Sequence, residues 1–242
     1  HVIMSSSEEN VELERSTALA LCQRRVSGLI VVPTTSDHGY LRAEVDRGIP
    51  VVFVDRPGNG IDADAILVDN EGGAADAVAA LIERGHRRIA VLLDSLDIYT
   101  MRERLSGVER AFAASGVSID SDLIAYTAHS PENAVQAMAT MLDLPEPPTA
   151  VLCGNNRSTI GAVEEIWRRS VDVDVVGFDD FEMSRLLPQA VTIVDYDTRA
   201  LGIASAQRLF DRIDGDTSAS RRVLLPTQLV GRGGQWPVSA RR

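Results

Sequence analysis

The sequence predicts an α/β fold built on parallel sheets. Short apolar runs of strand length recur along the chain, stretches of helical apolar spacing separate them, and glycines mark many of the joints. Parallel strands covered on both faces read as near-continuous Val, Ile and Leu, and they need long crossovers, usually helices. At 242 residues the chain can bury a large core, as one big domain or as two lobes.

Taken in order, His1–Ser5 reads as a strand. A helix follows from about Glu9 to Arg25, with Leu13, Thr17, Ala20 and Leu21 on one apolar face and Arg24 and Arg25 in the last turn. Gly28–Pro33 is a continuous apolar strand, Asp37–Arg47 is helical and stops at Gly48, and Ile49–Val54 is the next strand, ending in Asp55. Ala65–Val68 leads to Asp69 and Asn70, which can cap a helix running to Arg84, and Arg88–Leu93 is again a strand. Leu105, Val108 and Phe112 mark a helix closed by Gly116, and Val135, Met138, Ala139 and Leu142 mark another. The strand Ala150–Cys153 follows a proline-bounded turn, and Ile160, Val163 and Trp167 form the next helical stripe. Val173, Val175 and Val176 form a short strand that runs into Gly177, Phe178, Asp179 and Asp180. Val191–Val194, a helix from about Thr198 to Ile213 and the strand Val223–Leu225 complete the fold, and the tail from Gly231 to Arg242 should fray. Met and aromatic residues on the helical stripes read as core.

Composition narrows the function. A hydrophobic content of 45% and a charged content of 24% are ordinary for a soluble globular protein. The net charge of −11 argues against this segment gripping nucleic acid, because phosphate contacts need clustered Lys and Arg. Cys22 and Cys153 lie far apart and read as buried small hydrophobes of a reducing compartment. The four histidines, at positions 1, 38, 86 and 129, have no metal-ligand spacing. No run is long enough to span a bilayer, and the start shows no signal peptide. Gly58–Ala63 fits G-x-G-x-x-A, but a strand rather than a helix follows, so it reads as a turn. No other nucleotide-binding, hydrolase or zinc signature occurs, and Asn156-Arg157-Ser158 is a coincidental glycosylation sequon.

The polar residues at strand ends are more informative. Asp55, the pair Asp69 and Asn70, the pair Asn155 and Asn156, and the pair Asp179 and Asp180 each follow a strand. Strands of one parallel system present these ends on one side, where open α/β sheets hold their ligands. Carboxylates and carboxamides with an Arg nearby suit the recognition of vicinal hydroxyls. Arg102 and Arg104 open the helix at Leu105, against the preference of the helix dipole, as expected of functional residues.

These stretches, in order, resemble the effector-binding core of LacI-family transcriptional regulators. The resemblance rests on Gly48–Asp55, Val68–Asn70, Arg84–Ala90, Arg104–Gly107, Val176–Asp180, and Leu225, Pro226, Leu229 and Arg232. It implies a periplasmic-binding-protein-like fold of two lobes, each a parallel sheet flanked by helices, with residues 1–69 and 195–220 in the first. Residues 70–194 and 221–234 would form the second lobe, and 235–242 a tail. A first strand, a first helix and a helix-turn-helix headpiece would precede His1. Effector contacts would fall on Asp55, Asp69, Ile98, Thr100, Arg102, Arg104, Asn155 and Asp179, with Arg104 the principal hydroxyl clamp. His129 and Thr198 stand where relatives often place an aromatic residue. Arg104 and Asp179 would grip one ligand, a sugar or polyol or else a nucleobase, from facing sides of an interlobe cleft. The resemblance further implies a cytoplasmic homodimer without cofactor or catalysis that reaches operator DNA through the headpiece. One alternative is the solute-binding protein of a transporter. A more distant one is an enzyme using Asp179 and Asp180 as an acid–base pair.

Overall fold

A computed structural model describes residues 1–234. They fold into two compact units, one of residues 1–68 and 197–225 and the other of residues 69–196 and 226–234. In chain order the elements are α1 (Val11–Gln23), β1 (Leu29–Val31), α2 (Arg42–Asp46), β2 (Val51–Val54), β3 (Asp64–Val68), α3 (Asn70–Glu83) and β4 (Ile89–Leu92). There follow α4 (Tyr99–Ser115), β5 (Ile124–Ala125), α5 (Pro131–Leu142), β6 (Ala150–Cys153), α6 (Asn156–Arg169) and β7 (Asp174–Phe178). The last elements are β8 (Ala190–Asp195), α7 (Thr198–Ile213), β9 (Arg222–Leu225) and β10 (Gln228–Gly233).

The first unit holds a parallel sheet in the order β1-β2-β3-β9. The second holds six strands in the order β10-β8-β7-β6-β4-β5, parallel except where β10 runs against β8. In that second sheet the apolar runs are continuous because both faces are covered. Val91, Leu152, Val176 and Val194 pack on α3 and α4, through Ala74, Val78, Leu81, Val108 and Phe112. Their neighbours in the strands, Leu92, Val151, Val175 and Ile193, pack on α5 and α6, through Ala134, Met138, Ala162 and Ile166. Helices α3 and α4 meet at Gly107, where a Cβ would stand 2.1 Å from the carbonyl oxygen of Glu71. A core of its own in the first unit joins Ala18 and Cys22 of α1 to Leu29, Val31, Val51, Phe53, Ala65 and Leu67.

Several expectations need correction. Residues 1–5 form no strand, and Val2, Ile3 and Met4 lie exposed without a ladder partner among the described residues. The helix expected over Asp37–Arg47 is one turn of 3-10 helix, Gly39–Leu41, followed by the short α2. Residues 222–225 pair as β9 with β3, which places them in the first unit rather than the second. The residues up to Gly233 do not fray but form β10, an edge strand whose two glycines hid it; the rest of the expected tail, 235–242, lies outside the described residues. On α6 the buried face carries Ala162, Val163 and Ile166, so Val163 of the expected stripe packs inward, while Ile160 and Trp167 are 40% and 55% exposed. On α1 the buried residues are Glu14, Ala18 and Cys22, and Leu13 faces outward.

Glu14 tolerates this burial because four groups meet its carboxylate. The Thr34 N–H and hydroxyl donate at 2.6 and 2.8 Å, the Tyr40 hydroxyl at 2.8 Å, and His38 Nε2 lies 3.0 Å away. Burial alone would push the Glu14 carboxyl up; His38, Thr34 and Tyr40 outweigh it and draw the value down to about 2. A carboxyl lowered on folding stabilises the fold above its unfolded value, here near 4.5, and loses that contribution as pH falls toward 2. Urea titrations across this window should show the wild type losing up to about 3 kcal/mol more than Glu14→Gln. Parallel pH profiles for the two proteins would disprove the assignment.

Candidate functional site

The polar strand ends divide between the two sheets rather than belonging to one parallel system. Asp55 follows β2 of the first unit; Asn155 and Asp179 follow β6 and β7 of the second. Asp55 and Asp179 share a local conformation. Each has a left-handed φ, 68° and 69°, while its N–H still bonds the neighbouring strand, at Ile66 O (2.9 Å) and Val194 O (3.1 Å). Asp tolerates this region better than most residues, and such strain collects at functional positions. Gly177, just before, lets α6 come close to β7, for a Cβ there would stand 2.3 Å from the Thr159 hydroxyl.

Arg104 is the centre of the second unit's strand ends. It sits on the second turn of α4, which starts at Tyr99 rather than at Leu105, so the helix-dipole argument for its placement does not hold. Only 4% exposed, it donates through Nε to Asn70 Oδ1 at 2.8 Å, and through Nη1 to the carbonyl of Gly154. Nη1 and Nη2 also donate to the two Asp179 oxygens at 3.2 and 3.3 Å. The guanidinium carbon lies 3.6 Å from the centre of the Phe178 ring, a cation–π contact beneath the fork. Four of the five guanidinium N–H groups are thus used, leaving one on Nη2. Arg104 and Asp179 therefore do not face each other across a ligand: they belong to one unit and bind each other. The sequence reading missed this because nothing in it pairs residues 75 positions apart.

The other candidates take distinct local tasks. Asp69 caps α3 through Gly72 N (2.8 Å), and Asn155 caps α6 in a reciprocal box with Ser158 (2.8 and 3.1 Å). Arg102 folds back to donate to Leu96 O and Asp97 O at 2.6 and 2.9 Å, which orders the loop before α4. Ile98 precedes the first residue of α4 and packs on the core, and Thr100 is buried. Thr198 is exposed on the first turn of α7 in the first unit. His129, 69% exposed, places Nδ1 2.9 Å from Asp94 Oδ2. Asp94 was missed, although it follows β4 as the other strand-end residues follow their strands. Asp180 binds Arg232 at 2.7 Å, which, against the opposing effect of burial, holds its carboxyl below the usual range. Two carboxylates engaged by separate arginines are no acid–base pair. Among the described residues no cluster of three or more His, Cys, Asp or Glu could hold a metal ion, and no helix is long and apolar enough to cross a membrane.

Two parallel-dominated sheets flanked by helices, with polar strand ends, define a periplasmic binding protein-like domain, and residues 78–234 match that family. Over 237 residues the chain is 30% identical to the HTH-type transcriptional regulator CelR of Thermobifida fusca, covering 95% of this chain and 69% of that protein. A crystal structure described as a proposed ribose operon repressor from Burkholderia thailandensis superposes with a TM-score of 0.83 at 31% identity, covering 95% of this chain and 86% of that one. The structure of a CelR–cellobiose complex superposes with a TM-score of 0.80 at 30% identity, covering 92% and 70%. The chain belongs to the LacI family of transcriptional regulators and is their effector-binding core. These relatives are regulators, which favours that reading over a transporter's solute-binding protein and over an enzyme.

The Arg104 geometry makes a clear prediction. Arg104→Ala leaves Asp179 without its cation and the Gly154 carbonyl and Asn70 without their donor. Breaking such a buried pair should cost about 2–4 kcal/mol. Thermal melts of the unliganded protein check this, and an unchanged melting temperature would show that the fork is dispensable to the fold.

Proposed function

We propose that this core senses a sugar or related polyol on behalf of a DNA-binding regulator, with a nucleobase as the second candidate. One observation carries the reading: the unused Nη2 N–H of Arg104 lies beside the Asp179 carboxylate, whose oxygens keep acceptor capacity. A hydroxyl group both accepts and donates, so it matches an edge that offers a donor next to an acceptor. The cellobiose complex of the CelR relative supports the same class of ligand. His129, Asn155 and Asp69 of the second unit are proposed further contacts, together with the Ile98–Arg104 segment. Asp55 and Thr198 of the first unit are proposed on the family resemblance. Binding would favour one conformation of the core over another, without catalysis and without a cofactor.

The regulator is proposed to be cytoplasmic and to reach operator DNA through a helix-turn-helix headpiece, since this acidic core of net charge −11 offers phosphates little. A screen of melting temperature against sugars, polyols and nucleobases tests the reading. A true effector at a hundred times its Kd should add about 2.7 kcal/mol of stability, a rise of roughly 5–10 °C for a chain of this size. If no sugar or polyol raises the melting temperature, the sugar reading fails.

The core is also proposed to be a homodimer, and the exposed Ile160 and Trp167, seven residues apart on one side of α6, support an interface there. Sedimentation at micromolar concentration should give a dimer, and Ile160→Glu should shift it toward monomer. A wild-type monomer under those conditions would sink the proposal.

A further inference from the structure

The Asp94–His129 pair lies where the second unit's strands end. The Leu93 N–H donates to Ala125 O at 2.8 Å, and the Ala128 N–H donates to Leu93 O at 3.0 Å, which ties the segment before His129 to the end of β4. Gly154, whose carbonyl Arg104 holds, donates its own N–H to Leu92 O at 2.7 Å, so the pair and the guanidinium share one rim. Asp94 is buried; its Oδ1 accepts from the Ser95 N–H at 2.7 Å, and its Oδ2 is left to face His129 Nδ1 at 2.9 Å. The His129 ring is otherwise largely open to solvent.

A carboxylate only accepts hydrogen bonds, so the nitrogen facing it must carry the proton. Neutral imidazole has one N–H, and the other ring nitrogen is then a bare acceptor. We infer that Asp94 is a positioning residue that fixes His129 as the Nδ1–H tautomer, so that Nε2 is presented to the effector as a hydrogen-bond acceptor. The effector part of this rests on the sugar reading above; the tautomer does not. An aromatic residue at this place would select for an apolar sugar face by stacking. An Asp-backed imidazole selects instead for a hydroxyl or N–H aimed at Nε2, and it disfavours ligands that present only acceptors there.

Histidine side chains free in water prefer the proton on Nε2, so the tautomer reports directly on Asp94. With only four histidines in the chain, long-range proton–nitrogen correlation spectra of the 15N-labelled protein are readable, and His129→Gln assigns the signal by its loss. At a pH where the imidazole is neutral, wild-type His129 should show a protonated Nδ1 and an unprotonated Nε2. Asp94→Asn should move it toward the Nε2–H form while leaving the melting temperature nearly unchanged. A wild-type His129 protonated on Nε2, or one unaltered by Asp94→Asn, would overturn the assignment. In a second arm, calorimetric titration with D-ribose, D-glucose and cellobiose should show Asp94→Asn weakening the tightest of the three about tenfold, the scale of one hydrogen bond. Equal affinity in the two proteins would overturn the selective role of Nε2. Failure of the wild type to bind any of the three, with the tautomer as expected, would count against the sugar reading while upholding the positioning role of Asp94.

Discussion

Arg104 carries a full charge into a place almost closed to water, and an uncompensated guanidinium there would cost several kcal/mol. What offsets that cost is spread over several elements: the Asp179 carboxylate after β7, the Gly154 carbonyl after β6, Asn70 at the start of α3 and the Phe178 ring beneath. The same bonds that pay for burial therefore tie two strand ends and two helices to one planar group. Lysine could not substitute, because a point charge with three donors on one nitrogen cannot address a carboxylate, a carbonyl and an amide from separate directions. The arrangement of the rim follows from keeping this one cation satisfied.

Around that centre the polar strand-end residues specialise. Asp69 and Asn155 spend an oxygen on the orphan N–H groups of a helix start, which fixes α3 and α6 against the sheet. Asp55 and Asp179 instead take a left-handed backbone conformation that turns the chain out of the strand while preserving one more ladder bond. Side chains with part of their capacity committed in this way are oriented before any ligand arrives, and a ligand then meets little ordering cost. A structural role therefore does not argue against the proposed binding role.

The elements that could be read from sequence are those whose physics is local. Ala150–Cys153 and the pair Val175 and Val176 are apolar because helices cover both faces of their sheet, and Asp69 announces α3 by its capping chemistry alone. What failed to read depends on partners remote in sequence. Glu14 looks like a solvated helix residue until Thr34, His38 and Tyr40 are brought to it. Strand β10, with two glycines in six residues, exists through its pairing with β8. Arg104 and Asp179 were each recognisable as candidates, but the sequence could not say that they bind each other, which the expected two-sided grip did not foresee. The periodicity of α6 misled in part: of the expected stripe Val163 is buried in the core, while Ile160 and Trp167 lie exposed beside the packed face.

The pairing changes what kind of ligand the rim can favour. An unpaired buried arginine would attract carboxylates and phosphates above all, since charge-assisted bonds to anions are the stronger ones. With Asp179 already on the fork, an incoming anion would meet a carboxylate as well as the one remaining N–H, and the repulsion would offset much of the attraction. A neutral group that donates and accepts at once loses nothing by that arrangement. The same edge would accept the amide-like face of a nucleobase, so the Arg104–Asp179 pair by itself separates neutral polar ligands from acids but not hydroxyls from ring amides. Discrimination between those two must come from the neighbouring groups; if His129 contacts the effector as proposed, its imidazole offers a flat ring less stacking surface than a larger aromatic would.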